Sequence, residues 1–372
     1  MRILILSDAS SVHTKRWVKA LYERGIEIEV VSLSVPSDTY YEQLGVECKC
    51  YNYAEFTSSI KHKYRYLTIV SKVKKIIKDF QPDIVHAHYA SSYGLIGALT
   101  GFHPYIVSVW GSDVYDFPTF NVITKSIIKY VLWKADMILS TSYVMAKETK
   151  KYTKKDIGVT PFGVDTSVFT PSLEQYKNET INIGIVKTLS PKYGIDVLIK
   201  AFSIVVSKNP SKDINLRLVG QGPDKDEYKN MVKNLGLSQK VTFDGWVPNE
   251  KLPEIYQSFY LSVFPSVWNS ESFGVVAVES MACGCPVVTS DADGFTEVVE
   301  DGITGFVVPK YDVEATANAI QQLLDNLDLR EQMSRKGRER VLQLYDWKDN
   351  VTTMVEYYNK IYSEYYDASE KK

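Results

Sequence analysis

The sequence predicts an α/β protein built from two Rossmann-like, doubly wound domains that face a central cleft. The first observation is length, because 372 residues suit two domains of roughly 170 to 190 residues better than one core. The second is that strand-like apolar runs alternate with helix-like patterns through the first half. The third is that this alternation begins again near residue 181. Repeated strand–helix units favour parallel sheets covered by helices on both faces.

The individual elements follow from apolar runs and from helical spacing of apolar residues. In the first half, strands are predicted over residues 3–6, 28–33, 84–87, 105–109, 137–140 and 157–161. Helices are predicted over residues 14–24, 67–80, 92–100, 121–134 and 143–152. In the second half, strands are predicted over residues 181–186, 215–219, 241–243, 260–264 and 287–289. Helices are predicted there over residues 195–207, 225–234, 274–283 and 351–365.

The expected domains are residues 1–165 and 166–347, joined near residues 163–171, with a C-terminal helix in residues 348–372. Open α/β sheets bind ligands at the carboxyl ends of their strands, so the cleft is the expected place for a ligand.

Composition is that of an ordinary globular protein, with 45% hydrophobic and 24% charged residues. No run of 18 uncharged apolar residues is present, and the first residues become polar too soon for a signal peptide. We therefore expect a cytoplasmic protein, with attachment to the inner face of the plasma membrane as a further hypothesis. A pI near 6.3 and the lack of a recognisable binding module argue against nucleic acid as a partner.

The net charge of −2 hides an asymmetry between the halves. Residues 1–165 hold 21 Lys and Arg against 16 Asp and Glu, whereas residues 166–372 hold 22 against 29. Much of the basic excess lies in residues 61–80, where apolar residues recur at helical spacing. Two interpretations stay open: a helix that packs on the core with a solvated basic face, or a helix that contacts anionic lipid headgroups.

The four cysteines form two C-x-C pairs, at residues 48 and 50 and at residues 283 and 285. The pairs fall in different predicted domains, so neither a shared metal site nor a disulfide is expected.

Two carboxylates, Glu271 and Glu279, flank a small apolar segment after a predicted buried strand. The pattern is strand, loop, helix, and Phe273 and Gly274 would offer backbone N–H groups at the helix start, where phosphate groups bind. The two glutamates would lie about 12 Å apart along the helix axis at 1.5 Å per residue. That separation suits two ends of one extended ligand.

This E-x7-E string resembles that of the retaining family 4 glycosyltransferases, enzymes of the GT-B fold also known as glycosyl transferases group 1. The likeness continues along nearly the whole chain, in VTPFGVD at 159–165, IDVLIKAF at 195–202, LVGQGP at 218–223, KVTFDGWVP at 240–248 and GITGFVVP at 302–309. The resemblance implies same-face transfer of a sugar from a nucleoside diphosphate sugar, with UDP favoured. The acceptor would be a hydroxyl of a glycan, glycolipid or lipid-linked molecule in polysaccharide or glycoconjugate biosynthesis.

The resemblance also implies that the C-terminal helix in residues 348–372 returns to the first domain. It further implies a donor site in the second domain that needs neither a metal nor another cofactor. Lys187 and Lys192 would hold the diphosphate, although the family usually has Arg and Lys one position later, where this chain has Thr188 and Tyr193. Either both lysines serve with a one-residue shift or only one does. Further donor contacts are implied for Glu271 with the sugar, for the N–H groups of Phe273 and Gly274 with the sugar and the phosphate, and for Glu279 with the ribose. Val247 would contact the base, with Trp246 either beside it or in the core.

The first domain is expected to bind the acceptor through the ends of its strands. The candidate residues there are Ser10, Ser11, His13, His88, Trp110 and Asp113. Many family members have a His at the position of Trp110, so no catalytic His can be assigned from that motif. The catalytic candidates are therefore Glu271, Lys192 and Asp113. His86 and His88 share a strand face, but a satisfied strand histidine is favoured over a metal ligand.

Three rival functions remain at this point. A dinucleotide-dependent dehydrogenase is disfavoured because no G-x-G-x-x-G follows the first strand. A GT-B phosphorylase or sugar-phosphate synthase would need a phosphate site facing the first domain, where Arg residues are few. A non-catalytic subunit of the same fold is kept as an alternative because of Trp110, Thr188 and Tyr193.

Overall fold

The computed structural model describes residues 1–53, 67–172 and 180–370, with side chains as far as residue 366. The chain forms two compact units, one of Met1–Pro161 with Asp349–Lys372 and the other of Phe162–Lys348. The first unit thus ends four residues before the boundary expected at residue 165. No described helix is long and apolar enough to cross a bilayer.

The first unit contains a parallel sheet of seven strands in the order β3-β2-β1-β4-β5-β6-β7. The strands are β1 (Arg2–Leu6), β2 (Glu27–Ser32), β3 (Glu47–Cys50), β4 (Ile84–His88), β5 (Tyr105–Val109), β6 (Met137–Ser140) and β7 (Ile157–Val159). Its helices are α1 (Val12–Tyr22), α2 (Tyr40–Leu44), α3 (Val70–Phe80), α4 (Tyr93–Thr100), α5 (Ser112–Tyr115), α6 (Val122–Lys134) and α7 (Tyr143–Thr149). Strands β4 and β5 are buried along their whole length, as expected of central strands covered on both faces.

The second unit contains a parallel sheet of six strands in the order β10-β9-β8-β11-β12-β13. The strands are β8 (Ile181–Val186), β9 (Ile214–Val219), β10 (Val241–Gly245), β11 (Leu261–Phe264), β12 (Val287–Ser290) and β13 (Gly305–Val308). Its helices are α8 (Ile195–Lys208), α9 (Lys225–Asn234), α10 (Leu252–Gln257), α11 (Val275–Ala282), α12 (Asp293–Val298), α13 (Val313–Asp325) and α14 (Leu327–Leu344).

A final helix, α15 (Trp347–Glu370), starts at the end of the second unit and continues into the first. The Tyr358 hydroxyl lies 2.7 Å from Nδ1 of His86 on β4, and Tyr358 and Ile361 are buried. A Cβ placed on Gly158 in β7 would lie 2.6 Å from the Tyr357 ring, so only glycine permits this close packing. The helix therefore completes the core of the first unit.

Each sheet reverses its strand order once, between β1 and β4 in the first unit and between β8 and β11 in the second. At such a reversal the connections leave in opposite directions, and the strand ends open a crevice that can receive a ligand. Most of the predicted site residues end or follow strands at or next to these positions, whereas Trp246 and Val247 follow the edge strand β10.

The basic segment 61–80 is described only from residue 67 onward, and the basic cluster 61–65 lies outside the described residues. In α3, Val73 and Ile76 are buried in the core, whereas Lys72, Lys74, Lys75 and Lys78 are exposed. The described part of this segment is therefore a core-packed helix with a solvated basic face.

The cysteines occur as free thiols. Cys283 and Cys285 are fully buried, and the half-buried Cys48 and Cys50 have sulfurs 3.5 Å apart.

Candidate functional site

The donor-side candidates gather at the strand reversal of the second unit. Lys187 directly follows β8, and the loop 265–274 directly follows the neighbouring β11. The Lys187 Nζ lies 2.8 Å from Glu271 Oε2, and both side chains are largely buried. Ser266 Oγ donates to the same carboxylate oxygen at 3.1 Å. The structure thus pairs Lys187, which is predicted to bind the diphosphate, with Glu271, which is predicted to bind the sugar.

Lys187 and Lys192 both contact the aromatic ring of Tyr193, which brings the two ammonium groups near each other. Lys192 and Tyr193 belong to a single turn, Pro191–Tyr193, that precedes α8. The Nζ atoms of Lys187 and Lys192 lie 4.7 and 4.9 Å from the centroid of the Tyr193 ring. Lys192 Nζ also lies 5.9 Å from the Trp268 ring. These distances are those of cation–π contacts. Tyr193, which occupies the position where the family usually has a Lys, therefore contacts both lysines through its ring.

Two glycines set the position of the loop that carries Glu271. Gly194 has φ +66°, and a Cβ there would lie 2.0 Å from the carbonyl oxygen of Pro265. Gly294 donates its N–H to the Glu271 carbonyl at 2.8 Å, and a Cβ there would lie 2.4 Å from the Phe273 nitrogen. Any side chain at either position would push the loop away from its place.

Phe273 and Gly274 lead into α11 in different ways. The Phe273 side chain is buried against the rings of Phe162 and Tyr345, so it anchors the loop in the core. Gly274 precedes the helix with φ +84°. Within the described parts of the chain, neither of their amides donates a backbone–backbone hydrogen bond. Amides of this kind at a helix start can bind an anion.

Glu279 lies on the same helix with its side chain buried. The hydroxyl of Tyr256, on α10, donates to Glu279 Oε2 at 2.9 Å. Burial, and then the nearby carboxylate, raise the pKa of Tyr256 well above its ordinary value, so the phenol stays a donor. Tyr256 therefore fixes the orientation of this carboxylate.

The residues after β10 lie at the surface of the unit. Trp246 is exposed and Val247 is half-buried. The interpretation of Trp246 as a core aromatic is therefore wrong, because no core forms around it. An exposed indole keeps both faces available for stacking.

The acceptor-side candidates gather at the ends of β1, β4 and β5 in the first unit. The rings of His88 and Trp110 stack with centroids 4.6 Å apart, and His13 meets Trp110 edge-on at 6.1 Å. His88 Nδ1 lies 3.1 Å from the hydroxyl of the buried Ser7. Burial lowers the pKa of His88 to about 3, so this imidazole is neutral at physiological pH.

His86 lies two positions before His88 on β4 and is fully buried. Its Nδ1 lies 2.7 Å from the Tyr358 hydroxyl and its Nε2 lies 2.8 Å from Ser108 Oγ. Burial lowers its pKa well below the ordinary value, and His88 adds to that effect. His86 is thus a satisfied strand histidine, as favoured from the sequence.

Asp113 is fully buried, and its carboxylate accepts hydrogen bonds from the backbone. The donors are the N–H groups of Ala90 at 2.8 Å, Gly111 at 2.8 Å and Trp110 at 3.1 Å. Burial raises the pKa of this carboxyl, whereas the amide hydrogen bonds oppose the rise. The carboxylate therefore holds the turn that carries Trp110.

Ser10 and Ser11 lie in the loop between β1 and α1. Ser10 is exposed, and its N–H donates to Asp8 Oδ1 at 2.9 Å. Ser11 immediately precedes α1, but its side chain does not cap the helix. This loop lies next to His13, which is in the first turn of α1.

Three site-forming residues are missing from the sequence-based set: Ser7, Tyr256 and Ser266. Ser7 and Ser266 come within two residues of a strand end, which is a usable signal at a strand reversal. Tyr256 carries no such signal, because it contacts Glu279 across 23 positions of sequence.

The second unit thus brings two lysines and the Glu271 carboxylate together after β8 and β11 and carries the Glu279 carboxylate on the helix that follows, and such groups can hold a ligand that is partly anionic. Over the described residues, no three His, Cys, Asp or Glu side chains gather as a metal site. The metal-independent reaction expected from the sequence stays a prediction.

Comparisons with known proteins agree with this arrangement. The family model for glycosyl transferases group 1 matches residues 172–340, and that for glycosyl transferase 4-like proteins matches residues 2–142. The N-acetyl-alpha-D-glucosaminyl L-malate synthase of Bacillus anthracis is 27% identical over 357 residues, which cover 88% of this chain and 87% of that protein.

Two solved structures share the fold over nearly the full length. The sucrose-phosphate synthase of Thermosynechococcus elongatus has a TM-score of 0.81 at 20% identity, covering 98% of this chain and 100% of the other. Anabaena HepE, solved in complex with UDP, has a TM-score of 0.82 at 20% identity, covering 97% of this chain and 100% of the other. From the two family matches and this fold, the chain belongs to the glycosyl transferases group 1 and is a glycosyltransferase of the GT-B fold.

Proposed function

We propose that this enzyme is a retaining glycosyltransferase that takes its sugar from a nucleoside diphosphate sugar. The observation that carries the proposal is the cluster of Lys187, Lys192 and Glu271 at the strand reversal of the second unit. Two ammonium groups suit a diphosphate, and a carboxylate held beside them suits the hydroxyls of a sugar. UDP is the favoured nucleotide, since HepE, a structure of the same fold, was solved with it.

In this proposal, each group in the second unit has one task. Lys187 keeps Glu271 in place and still has donors for a phosphate oxygen, because an ammonium group has three N–H bonds. Lys192 and the amides of Phe273 and Gly274 complete the phosphate contacts. A carboxylate has about four lone-pair positions, so the bond from Tyr256 is compatible with Glu279 binding two ribose hydroxyls. Trp246 and Val247 would contact the base.

The reaction would break the bond between the anomeric carbon and the diphosphate oxygen and form a bond from that carbon to the acceptor oxygen on the same face. The acceptor proton passes to the departing phosphate oxygen, and the nucleoside diphosphate leaves. Fixed cations stabilise the charge that grows on the diphosphate, and their effect is larger in a buried site than in water.

On the acceptor side, we propose that Ser10, Ser11, His13 and Trp110 receive the hydroxyl-bearing molecule, with the buried His88 stacked against Trp110. The neutral His88 can exchange hydrogen bonds without adding charge, and the Trp110 ring offers a face to a sugar. We place Asp113 as a positioning residue, because its carboxylate binds the turn of Trp110. A glycan, glycolipid or lipid-linked acceptor in surface polysaccharide or glycoconjugate synthesis is the proposed class.

The test begins with the purified enzyme and radiolabelled UDP-, GDP- and ADP-sugars, with slow donor hydrolysis as the readout. Hydrolysis of one donor, with retention of the anomeric configuration in the NMR spectrum of a transfer product, is the expected result. An inverted product would refute the retaining mechanism. A strict need for inorganic phosphate, with release of a sugar phosphate, would favour a phosphorylase instead.

Variants then locate the site. Glu271→Ala and Lys192→Ala should each abolish transfer while the circular dichroism spectrum stays that of the wild type. Lys200→Ala is the matched control, because this exposed lysine of the same unit pairs only with Asp196, one turn before it on α8. Retention of more than about a tenth of the wild-type rate by both site variants would reject the site assignment.

A further inference from the structure

We propose that the first unit docks on an anionic lipid surface through the outer face of α6 and the residue before its cap. This α6 face consists of Phe120, Val122, Ile123, Lys125, Lys129 and Trp133. Its apolar members are unusually exposed: 65% for Phe120, 80% for Val122, 72% for Ile123 and 65% for Trp133. Exposed apolar groups that lie together on a folded protein usually mark a surface that contacts another molecule.

The helix is oriented so that these side chains point away from the core. Ile128, Val131 and Leu132 are fully buried in the first unit. Val122, Lys129 and Trp133 occupy positions i, i+7 and i+11, which lie on one face of a helix. That face spans about 16 Å at 1.5 Å per residue. The helix is therefore already packed on one side and presents a second, mixed apolar and basic side to solvent.

The charge of this segment is entirely positive. Residues 117–135 contain Lys125, Lys129 and Lys134 and no acidic residue. The nearest following acid, Asp136, already accepts from Tyr105 N at 2.7 Å and lies 2.6 Å from His103 Nδ1. Apolar tips can enter the boundary between headgroups and acyl chains while lysines contact anionic headgroups. Trp is a residue enriched at that boundary.

The same positive charge argues against a second copy of this chain as the molecule that covers the α6 face. Face-to-face pairing of two α6 faces would bring Lys125 and Lys129 of both copies together with no acidic partner in the segment. The described part of the basic segment 61–80 lacks an equivalent apolar surface, because Val73 and Ile76 of α3 are buried. An anionic bilayer matches both properties of the α6 face.

Vesicle co-sedimentation of the full chain tests this inference. The probes are vesicles of phosphatidylcholine alone and of phosphatidylcholine with about one third phosphatidylglycerol. We expect binding only to the anionic vesicles. Ile123→Glu and the double variant Lys125→Glu/Lys129→Glu should each weaken that binding more than tenfold, while the melting temperature stays within a few degrees of the wild type.

The matched control is Lys74→Glu/Lys75→Glu, which makes the same charge change on the exposed side of α3. It should change binding by less than twofold. Three results would overturn the inference: no binding of the wild type to anionic vesicles, equal loss in the α3 variant, or a lipid-free dimer in light scattering that Ile123→Glu dissociates. Because no donor or acceptor is present, the outcome does not depend on the proposed transfer reaction.

Discussion

At the scale of single residues, the ring of Tyr193 is the unusual feature of the donor site. It lies within cation–π distance of both Lys187 and Lys192. Tyr193→Leu should weaken binding of the nucleoside diphosphate by about 1 kcal/mol or more, because the ring positions both lysines and each cation–π contact contributes at least about 0.5 kcal/mol. Tyr193→Phe keeps the ring and should bind like the wild type. Calorimetric titration with UDP measures both; equal weakening in the two variants would assign the effect to the hydroxyl rather than the ring.

His88 makes the stability of the first unit depend on pH. Its pKa is about 3 in the folded protein, whereas an unfolded histidine titrates near 6.5. Between these values the unfolded chain binds more protons, so its stability contribution is complete above about pH 6.5 and is lost as pH falls, by up to ~1.4 kcal/mol per pH unit. The loss for His88 would end near pH 3.

His88→Gln removes that proton binding and should make the dependence of stability on pH between 6.5 and 5 shallower than in the wild type; the lowered pKa of His86 leaves the remaining slope. Urea unfolding, monitored through hydrogen exchange of β4 amides, measures the free energy of unfolding of the first unit at each pH. The burial that lowers the pKa of His86 and raises that of Asp113 is present in both proteins, so the difference between the two slopes reports His88, including its own effect on His86. Parallel slopes would contradict the prediction.

Sequence patterns located these residues only in part. Glu271 and Glu279 stood out because carboxylates flank an apolar segment, and the two lysines because they follow a strand. The contacts of Tyr256 with Glu279 and of Ser266 with Glu271 depend on the path of helices and loops, which side-chain spacing does not record. The roles assigned to the site residues remain predictions.

At the scale of elements, the turn before α8 and the loop after β11 hold each other in place. Gly194→Ala would put a methyl group 2.0 Å from the Pro265 carbonyl oxygen and would strain a backbone at φ +66°. The second unit should lose about 3 kcal/mol or more, of which about 1–2 kcal/mol is the backbone strain alone. UDP binding should weaken as well, because the displaced loop carries Glu271.

Gly302→Ala is a matched control for this change. Gly302 has a similar φ of +74°, but a Cβ there would meet nothing within 4 Å. Its cost should be close to the strain alone, about 1–2 kcal/mol, with UDP binding unchanged. Urea unfolding of both variants compares the costs. Equal losses of unfolding free energy in the two variants would show that the clash with the Pro265 carbonyl adds nothing to the cost of Gly194→Ala.

Many elements with strong apolar character were predictable, although strand β13 and helix α13 were not predicted despite their apolar residues. The buried strands β4, β5 and β11 fall within one residue of their predicted bounds. Strand β3 was not predicted, because its four residues alternate charge with cysteine at the edge of the sheet. The basic pattern of segment 61–80 left a core-packed helix and a lipid contact open; its described part, α3, packs its apolar side in the core, and the lipid contact stays a prediction.

At the scale of the whole molecule, two α/β units could be predicted from length and from the repeated alternation of strands and helices. The place of residues 349–372 in the first unit could not be derived from those patterns. The bond between Tyr358 and His86 joins residues 272 positions apart, and amphipathic spacing shows only that α15 has one buried face. Only the family resemblance suggested where that face packs.

This long-range packing predicts which unit depends on the C-terminal helix. Tyr358→Ala removes a fully buried aromatic side chain and should cost about 3–5 kcal/mol. Tyr358→Phe keeps the ring but leaves the buried His86 Nδ1 without this hydrogen bond and should cost about 1–3 kcal/mol. Tyr365→Ala, at an exposed position of the same helix, is the control and should have little effect.

Hydrogen exchange resolved by peptide distinguishes the units in the full chain. In Tyr358→Ala, amides of β4 and β7 should exchange faster, because β4 contacts Tyr358 directly and β7 packs on the adjacent Tyr357. Amides of β8 and β11 should keep their wild-type rates, since the hydrogen bond and the ring contact resolved for Tyr358 lie within the first unit. Faster exchange in both sheets would mean that the units unfold together, and the C-terminal helix would then stabilise the whole enzyme rather than the unit it completes.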